Sequence, residues 1–174
     1  GAAWQPLLPD AAFVAPHAPE PCAQAPLGRQ WFPLTLRSPQ ERWAGVNAAA
    51  PVLERFLARE LERRKLPPSA LALVGFSQGT MLALHVGLRR PTAPAAIVGY
   101  SGLLATPDGA AADAMAAEIR SRPPVLLVHG DRDDLIPAQA LFHAAHGLSA
   151  LGLPVEWHLS IGIGHGIDAE GLRH

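Results

Sequence analysis

A serine lies between two glycines at the end of a short apolar run, in the segment 71–85. The run ends in Gly75-Phe-Ser-Gln-Gly79 and a stretch of Met, Leu and Ala follows at once, which predicts a strand, a sharp turn and a helix. Such a turn holds Ser77 in a strained conformation that exposes its hydroxyl, and side chains at the two glycine positions would collide. The N–H of Gln78, at the positive end of the helix dipole, would face an anion formed by attack of the serine. These features predict that Ser77 is a nucleophile and that Gln78 donates to the oxyanion.

An ordinary turn of small residues is the alternative interpretation of this motif, because a serine hydroxyl in a turn often binds its own backbone. The strand, turn and helix context favours the nucleophile. A neutral serine is weak, however, and needs a histidine to take its proton and a carboxylate to fix the tautomer of that histidine.

Candidates for both partners follow two later predicted strands. The acidic residues after one strand are Asp131, Asp133 and Asp134. His165 lies in a glycine-rich loop after the last strand. Ligands of an open α/β sheet bind beyond the carboxyl ends of its strands, and the order Ser, Asp, His is that of α/β-hydrolases. Spacing alone does not choose among the aspartates, since some must cap the next helix or bind loop N–H groups.

The other histidines fit the position of a general base less well. They are His17, His85, His129, His143, His146, His158 and His174. We expect His129, which ends a strand, to brace the acidic loop. A metal bound by His129, Asp131, Asp133 and His165 has acceptable ligand types, but it leaves the serine turn unexplained. We therefore predict that the protein needs no metal or organic cofactor.

Strands and helices alternate along the chain, which predicts an open parallel sheet with helices on both faces. The strands are expected at 11–15, 71–75, 95–100, 124–129 and 154–160, and the helices at 40–65, from the serine turn to Arg90, at 111–120 and at 138–151. Pro51 should kink the long helix or start a second segment. A proline-rich loop carries Trp31 and Phe32, which either serve a binding site or pin the loop to the body.

Composition describes one globular domain: 49% of the 174 residues are hydrophobic and 17% are charged. The net charge is −1 and no Lys/Arg block occurs, so nucleic acid is not expected as a partner. Cys22 is the single cysteine, which excludes an internal disulfide and suits a reducing, cytoplasmic location. No apolar run approaches 18 residues, so we predict no membrane span.

Three motifs in this order resemble the phospholipase/carboxylesterase family of α/β-hydrolases, which includes bacterial carboxylesterases and acyl-protein thioesterases. The motifs are Gly75-Phe-Ser-Gln-Gly79, His129-Gly-Asp-Arg-Asp-Asp-Leu-Ile-Pro137 and Gly162-Ile-Gly-His165, with further similarity at Pro16-His-Ala-Pro19 and Arg29-Gln-Trp-Phe32. The resemblance implies the α/β-hydrolase fold, with Ser77 as nucleophile, His165 as base and Asp133 as the carboxylate. It also implies that Gln78 gives an oxyanion N–H and that Trp31 and Phe32 line the acyl pocket.

The chain departs from the family pattern at both ends. It lacks the His-Gly-x-Gly-type loop that supplies the second oxyanion donor, and it lacks the helix that follows the histidine loop. We therefore expect one α/β-hydrolase domain over 1–174, incomplete at both ends and without its N-terminal strands and C-terminal helix. In the resembling fold, the missing strand lies between the strands predicted at 11–15 and 71–75.

The leading hypothesis is a serine carboxylesterase or thioesterase that hydrolyses small to medium acyl esters through an acyl-enzyme. The alternative is an inactive α/β-hydrolase-like fragment or binding module without a complete oxyanion hole. The expected partner is a small acyl ester or thioester, and a homodimer is left open.

Overall fold

Four parallel strands form the central sheet of the computed structural model, which describes residues 3–22, 25, 27–34, 38–107 and 112–174 and, at 112–114, the backbone alone. In sheet order they are β3 (Ala72–Phe76), β4 (Ala96–Tyr100), β5 (Val125–Gly130) and β6 (Val155–Ser160). Gly75 pairs with Gly99, Tyr100 with Val128, and Gly130 with Ser160. The register therefore brings the carboxyl ends of all four strands to one edge. A separate antiparallel pair, β1 (Glu20–Pro21) and β2 (Arg29–Gln30), lies in the proline-rich loop.

In the part of the chain that the structure describes, three α-helices accompany the sheet: α1 (Pro39–Arg64), α2 (Gln78–Arg89) and α3 (Gln139–Ala150). Helix α1 begins at Ser38, whose side chain accepts the Glu41 N–H at 3.2 Å, and it ends at Lys65 in the left-handed conformation. It runs through Pro51 as one element, so the expected second segment does not form. The segments Pro68–Ala70 and Ala112–Glu118 are 3-10 helices, the second in place of a predicted α-helix.

Helix α2 is buried between the sheet and α1, as its nearly continuous apolar sequence requires. At Gly87 a side chain would collide with Leu73 and Ile97, so α2 lies close against β3 and β4. Residues of α2 and α3 line one cavity with Leu127, and these helices thus cover the same sheet face. The cavity holds about 10 Å³, the space of one water, so it is not a substrate site.

Turns from the two ends of the described chain meet over the other face of the sheet. The indole N–H of Trp4 donates to the Leu172 carbonyl at 2.9 Å, and the Tyr100 hydroxyl donates to the Gly171 carbonyl at 3.2 Å. The Trp4 and Tyr100 rings are 6.4 Å apart. Among the described residues, the α-helices therefore cover one face, while these turns pack over Tyr100 on the other. The sequence predicts helices on both faces, but the described part of the chain has no α-helix on the second face.

The strand predicted at 11–15 is wrong. This segment has no strand conformation, and Val14 is 45% exposed. An apolar run becomes a buried strand only where a neighbour takes its backbone hydrogen bonds, and β3, an outer strand of the sheet, does not pair with it. The four later strands begin and end within one residue of their predicted bounds. No helix in the described part of the chain is long and apolar enough to cross a membrane.

Candidate active site

Ser77 occupies the sharp turn between β3 and α2 with φ 53° and ψ −116°. A positive φ is unfavourable for a residue with a side chain, so the predicted strained serine is present. The turn is held because the Ser77 N–H donates to the Tyr100 carbonyl at 2.8 Å, while the Ser77 carbonyl accepts the Thr80 N–H at 3.0 Å. The residue is half-buried, which leaves its side chain within reach of solvent.

The two glycines of the turn differ in what surrounds them. A Cβ on Gly75 would overlap the backbone of Gly79 and Thr80, so the turn closes only with glycine at 75. A Cβ on Gly79 would meet no described atom within 4 Å. The prediction that a side chain at position 79 would collide is therefore wrong. The backbone of Gly79 excludes a side chain at position 75, but position 79 itself has room for one.

Of the three aspartates in the acidic loop, Asp133 is the one whose side chain is fully buried. One carboxylate oxygen accepts the N–H groups of Leu135 at 3.0 Å and Ile136 at 2.9 Å, and the other contacts Nδ1 of His165 at 2.8 Å. Burial by itself would raise the pKa of Asp133, but the Ile136 N–H, the His165 ring and the Leu135 N–H together lower the pKa below its ordinary value. The group is thus an ionised acceptor, and Nδ1 of His165 is the donor.

His165 lies beside the serine turn. Its ring centroid is 4.9 Å from that of Phe76, the residue before the serine, and its side chain is 15% exposed. The Ser101 hydroxyl donates to the Gly166 carbonyl at 3.1 Å and so holds the histidine loop against the end of β4. The structure thus brings the end of β3, the acidic loop and the histidine loop together.

Two hydrogen bonds join the acidic loop to the histidine loop, one accepted by the Asp131 side chain and one between backbone groups. Asp131 accepts the Gly162 N–H at 2.5 Å, and the Arg132 N–H donates to the Ile163 carbonyl at 2.9 Å. Gly130 has no room for a side chain because the Ile163 carbonyl lies against it. Asp131 therefore fixes the loops to each other and does not reach His165 as a hydrogen-bond partner.

His129 braces the acidic loop, as expected. Its Nε2 lies 2.8 Å from the Ile136 carbonyl and 3.1 Å from the same Asp133 oxygen that His165 contacts. Both neighbours are acceptors, so Nε2 carries a proton. With Asp131 bound to a backbone N–H and Asp133 surrounded by N–H donors, the arrangement does not favour the metal interpretation of this cluster.

The Gln78 side chain holds the proline-rich loop beside the serine turn. Its carbonyl oxygen accepts the Trp31 N–H, and its amide donates to the Phe32 carbonyl, both at 2.7 Å. The Phe32 ring is only 3% exposed and packs on Gly45 of α1, which favours the pinning interpretation for this residue. Trp31 is partly buried beside it and stays a candidate for the acyl pocket.

The sequence profile of the phospholipase/carboxylesterase family matches residues 2–174. The chain belongs to this family. It is accordingly a carboxylic ester hydrolase of the serine type, and the α/β-hydrolase fold predicted from the motifs is confirmed.

Individual proteins of known name agree with this assignment. The chain is 27% identical to the esterase YpfH of Escherichia coli over 98% of its own length and 69% of the relative's. It is 26% identical to an acyl-protein thioesterase 1 of Gibberella zeae, over 92% of the chain and 72% of the relative. The crystal structure of esterase PE8 superposes with a TM-score of 0.91 at 44% identity, and covers 99% of this chain and 79% of that one.

Replacing Gln78 by Met should weaken the fold of this family member by about 1–3 kcal/mol. Methionine has a similar shape but makes neither hydrogen bond to the Trp31–Phe32 loop, and each lost bond costs about 0.5–1.5 kcal/mol. Denaturant unfolding measures the change. Gln139→Met is the matched control, because Gln139 also opens a helix but is exposed. Equal stability of the two variants would show that the two Gln78 hydrogen bonds do not stabilise the fold.

Sequence reasoning missed three groups that shape this site. They are the Gln78 side chain, the Ser101 hydroxyl and the Phe76 ring. Ser101 has φ 44°, and its position at the end of a predicted strand before Gly102 was the available signal. The other two act through contacts between segments far apart in sequence, which no local pattern displays.

Proposed function

We propose that this chain is a serine carboxylesterase or thioesterase that hydrolyses small to medium acyl esters with Ser77, His165 and Asp133. The observation that carries the proposal is the 2.8 Å contact between His165 Nδ1 and buried Asp133, with the imidazole packed against the residue preceding the strained serine. The family match supplies the reaction class.

The first half of the reaction follows from the tautomer of His165. In the neutral imidazole with Nδ1 donating to Asp133, Nε2 is the nitrogen that accepts the Ser77 proton. The serine oxygen attacks the acyl carbon, and the buried carboxylate stabilises the imidazolium that forms. The carbonyl oxygen becomes an anion and receives the Gln78 N–H, which has no partner within α2 because it opens the helix.

The second half regenerates the enzyme. His165 returns its proton to the leaving alcohol or thiol, and an acyl-Ser77 ester remains. Water then loses a proton to His165 and attacks the same carbonyl, which releases the acid. Oxygen and sulfur esters present the same carbonyl to Ser77, consistent with the names of the relatives, one an esterase and one a thioesterase.

Substrate entry involves the loop that Gln78 holds. We infer that Trp31 borders the acyl group, because its backbone is fixed by the residue that also gives the oxyanion N–H. The proposed partner is therefore a small acyl ester or thioester. The proposed location of the protein is the cytoplasm.

Covalent labelling with a fluorophosphonate tests the proposal on this chain. The expected result is one adduct per folded chain, located at Ser77 by mass spectrometry and absent in Ser77→Ala. Ser149→Ala, which removes an exposed hydroxyl at the end of α3, should label like the parent. A folded parent chain that takes up no label, as an inactive binding module would, overturns the proposal.

A further inference from the structure

We propose that His158, Glu170 and His174 form a zinc-binding site at the edge of the sheet. One potential ligand atom from each of the three side chains lies within 4.8 Å of the others. The cluster uses none of the residues assigned to ester hydrolysis, so this site is separate from the proposed chemistry.

Two of the three ligands come from one short segment. Glu170 lies in the turn that follows the histidine loop, and His174 comes directly after that turn. The turn is formed by hydrogen bonds from the Leu172 N–H to the Asp168 carbonyl at 3.2 Å and from the Arg173 N–H to the Glu170 carbonyl at 2.9 Å.

This turn is fixed to the body of the protein before any ion binds. Its backbone accepts the Trp4 indole and the Tyr100 hydroxyl, and Asp168 holds the Gly171 N–H at 3.1 Å and the Ser160 hydroxyl at 2.8 Å. A site on a held backbone loses less conformational freedom on binding than one on a loose chain end. The third ligand stands on the neighbouring strand β6.

His158 has a ring nitrogen that needs a partner. Its Nε2 is enclosed, and no hydrogen-bond partner for it exists among the described residues. The same ring stacks on that of His174 at 4.1 Å with an interplanar angle of 29°. An enclosed nitrogen without a partner is unfavourable, and a cation bound to it would remove that cost.

The geometry reaches that of a zinc site after a side-chain closure. Zinc binds imidazole nitrogen and carboxylate oxygen at about 2.0–2.2 Å, so the ligand atoms of a tetrahedral ion lie about 3.4 Å apart. Atoms up to 4.8 Å apart must therefore approach one another by up to about 1.4 Å. Glu170 and His174 are exposed and can rotate, and rotation of the His174 ring out of its stack on His158 turns its nitrogen toward the ion.

Two imidazoles and one carboxylate select the ion. Imidazole suits zinc and its neighbours among the transition metals, whereas magnesium and calcium prefer oxygen ligands alone. Three protein ligands leave one position of a tetrahedral zinc ion to water.

Calorimetric titration of the purified chain with zinc chloride tests the site. Thermal melting of the chain with and without zinc chloride is the second measurement. We expect one zinc ion per chain and a melting temperature that rises by several degrees when zinc is in large excess over its dissociation constant. His174→Ala and Glu170→Gln, which change exposed side chains, should keep the fold and weaken binding at least about tenfold. His158→Ala should do the same.

His146→Gln is the matched control, because it removes an exposed histidine of α3 outside the cluster. It should bind zinc like the parent. The site is disproved if zinc gives no melting shift, or if His174→Ala and Glu170→Gln bind zinc as tightly as the parent.

Discussion

Asp133→Asn should lower the rates of fluorophosphonate labelling and ester hydrolysis about 10⁴-fold while the chain stays folded, the loss typical when a triad carboxylate becomes an amide. The carboxylate meets four N–H groups in the structure. Two are the backbone groups of Leu135 and Ile136, and two belong to the rings of His129 and His165. An amide can accept from one pair only, because its nitrogen is a donor.

The Asp133→Asn variant keeps the conformation of the acidic loop but reverses the tautomer of His165. If the amide oxygen stays on the backbone N–H groups, the amide nitrogen faces His165 and donates to Nδ1. His165 must then carry its proton on Nε2, where it can no longer accept the Ser77 proton. The loss therefore comes from the wrong tautomer, and KM should change far less than kcat.

Asp134→Asn is the control for this prediction, since Asp134 is an adjacent but exposed aspartate. It should label and turn over within a few-fold of the parent. Circular dichroism and denaturant unfolding of both variants separate lost chemistry from lost folding. Should Asp134→Asn lose activity while Asp133→Asn retains it, the assignment of the triad carboxylate is wrong.

The order and type of the later elements could be predicted because their patterns are local. Strands β3, β4 and β5 are apolar runs, β6 alternates apolar and polar residues after Pro154, and the serine turn carries its glycines in sequence. The choice of Asp133 was not available from spacing. It depended on the family resemblance, and in the structure it corresponds to burial and to the contact with His165.

What could not be predicted depends on neighbours in space. The apolar run at 11–15 has the composition of a strand, but no described strand takes its hydrogen bonds. The pairing of Gln78 with the Trp31–Phe32 loop joins residues 46 and 47 positions apart. The cluster of His158, Glu170 and His174 likewise appears only when β6 lies next to the turn that follows the histidine loop.

A buried histidine away from the site should control the stability of the fold in acid. His85 in α2 is 3% exposed and has no described partner for Nδ1. Its ring centroid lies 5.3 Å from that of Trp43, in an edge-to-face arrangement. Burial, with a smaller contribution from the charge of Arg89, lowers the pKa of His85 to about 3. The Arg89 guanidinium is held near His85, because it lies over the Trp43 ring and binds the Glu118 carboxylate at 2.7 Å.

The sign of the effect follows from proton binding. The unfolded chain protonates His85 near its ordinary pKa of about 6.5, whereas the folded chain does so only near pH 3. Between these values the unfolded state binds more protons, so the free energy of unfolding falls as the pH falls. The slope approaches about 1.4 kcal/mol per pH unit, and the full window is worth roughly 5 kcal/mol, comparable to the whole stability of many domains.

Denaturant unfolding between pH 6.5 and 4.5 measures this slope above the range in which most carboxylates titrate. His85→Leu should reduce the slope by about one proton, or about 1.4 kcal/mol per pH unit, since it leaves nothing to protonate at that position. His143→Gln, which changes an exposed histidine of α3, should leave the slope as in the parent. If the slope persists in His85→Leu, the acid sensitivity arises elsewhere. If the slope disappears in His85→Leu and not in His143→Gln, the burial of one neutral imidazole between α1 and α2 limits the stability of the fold at low pH.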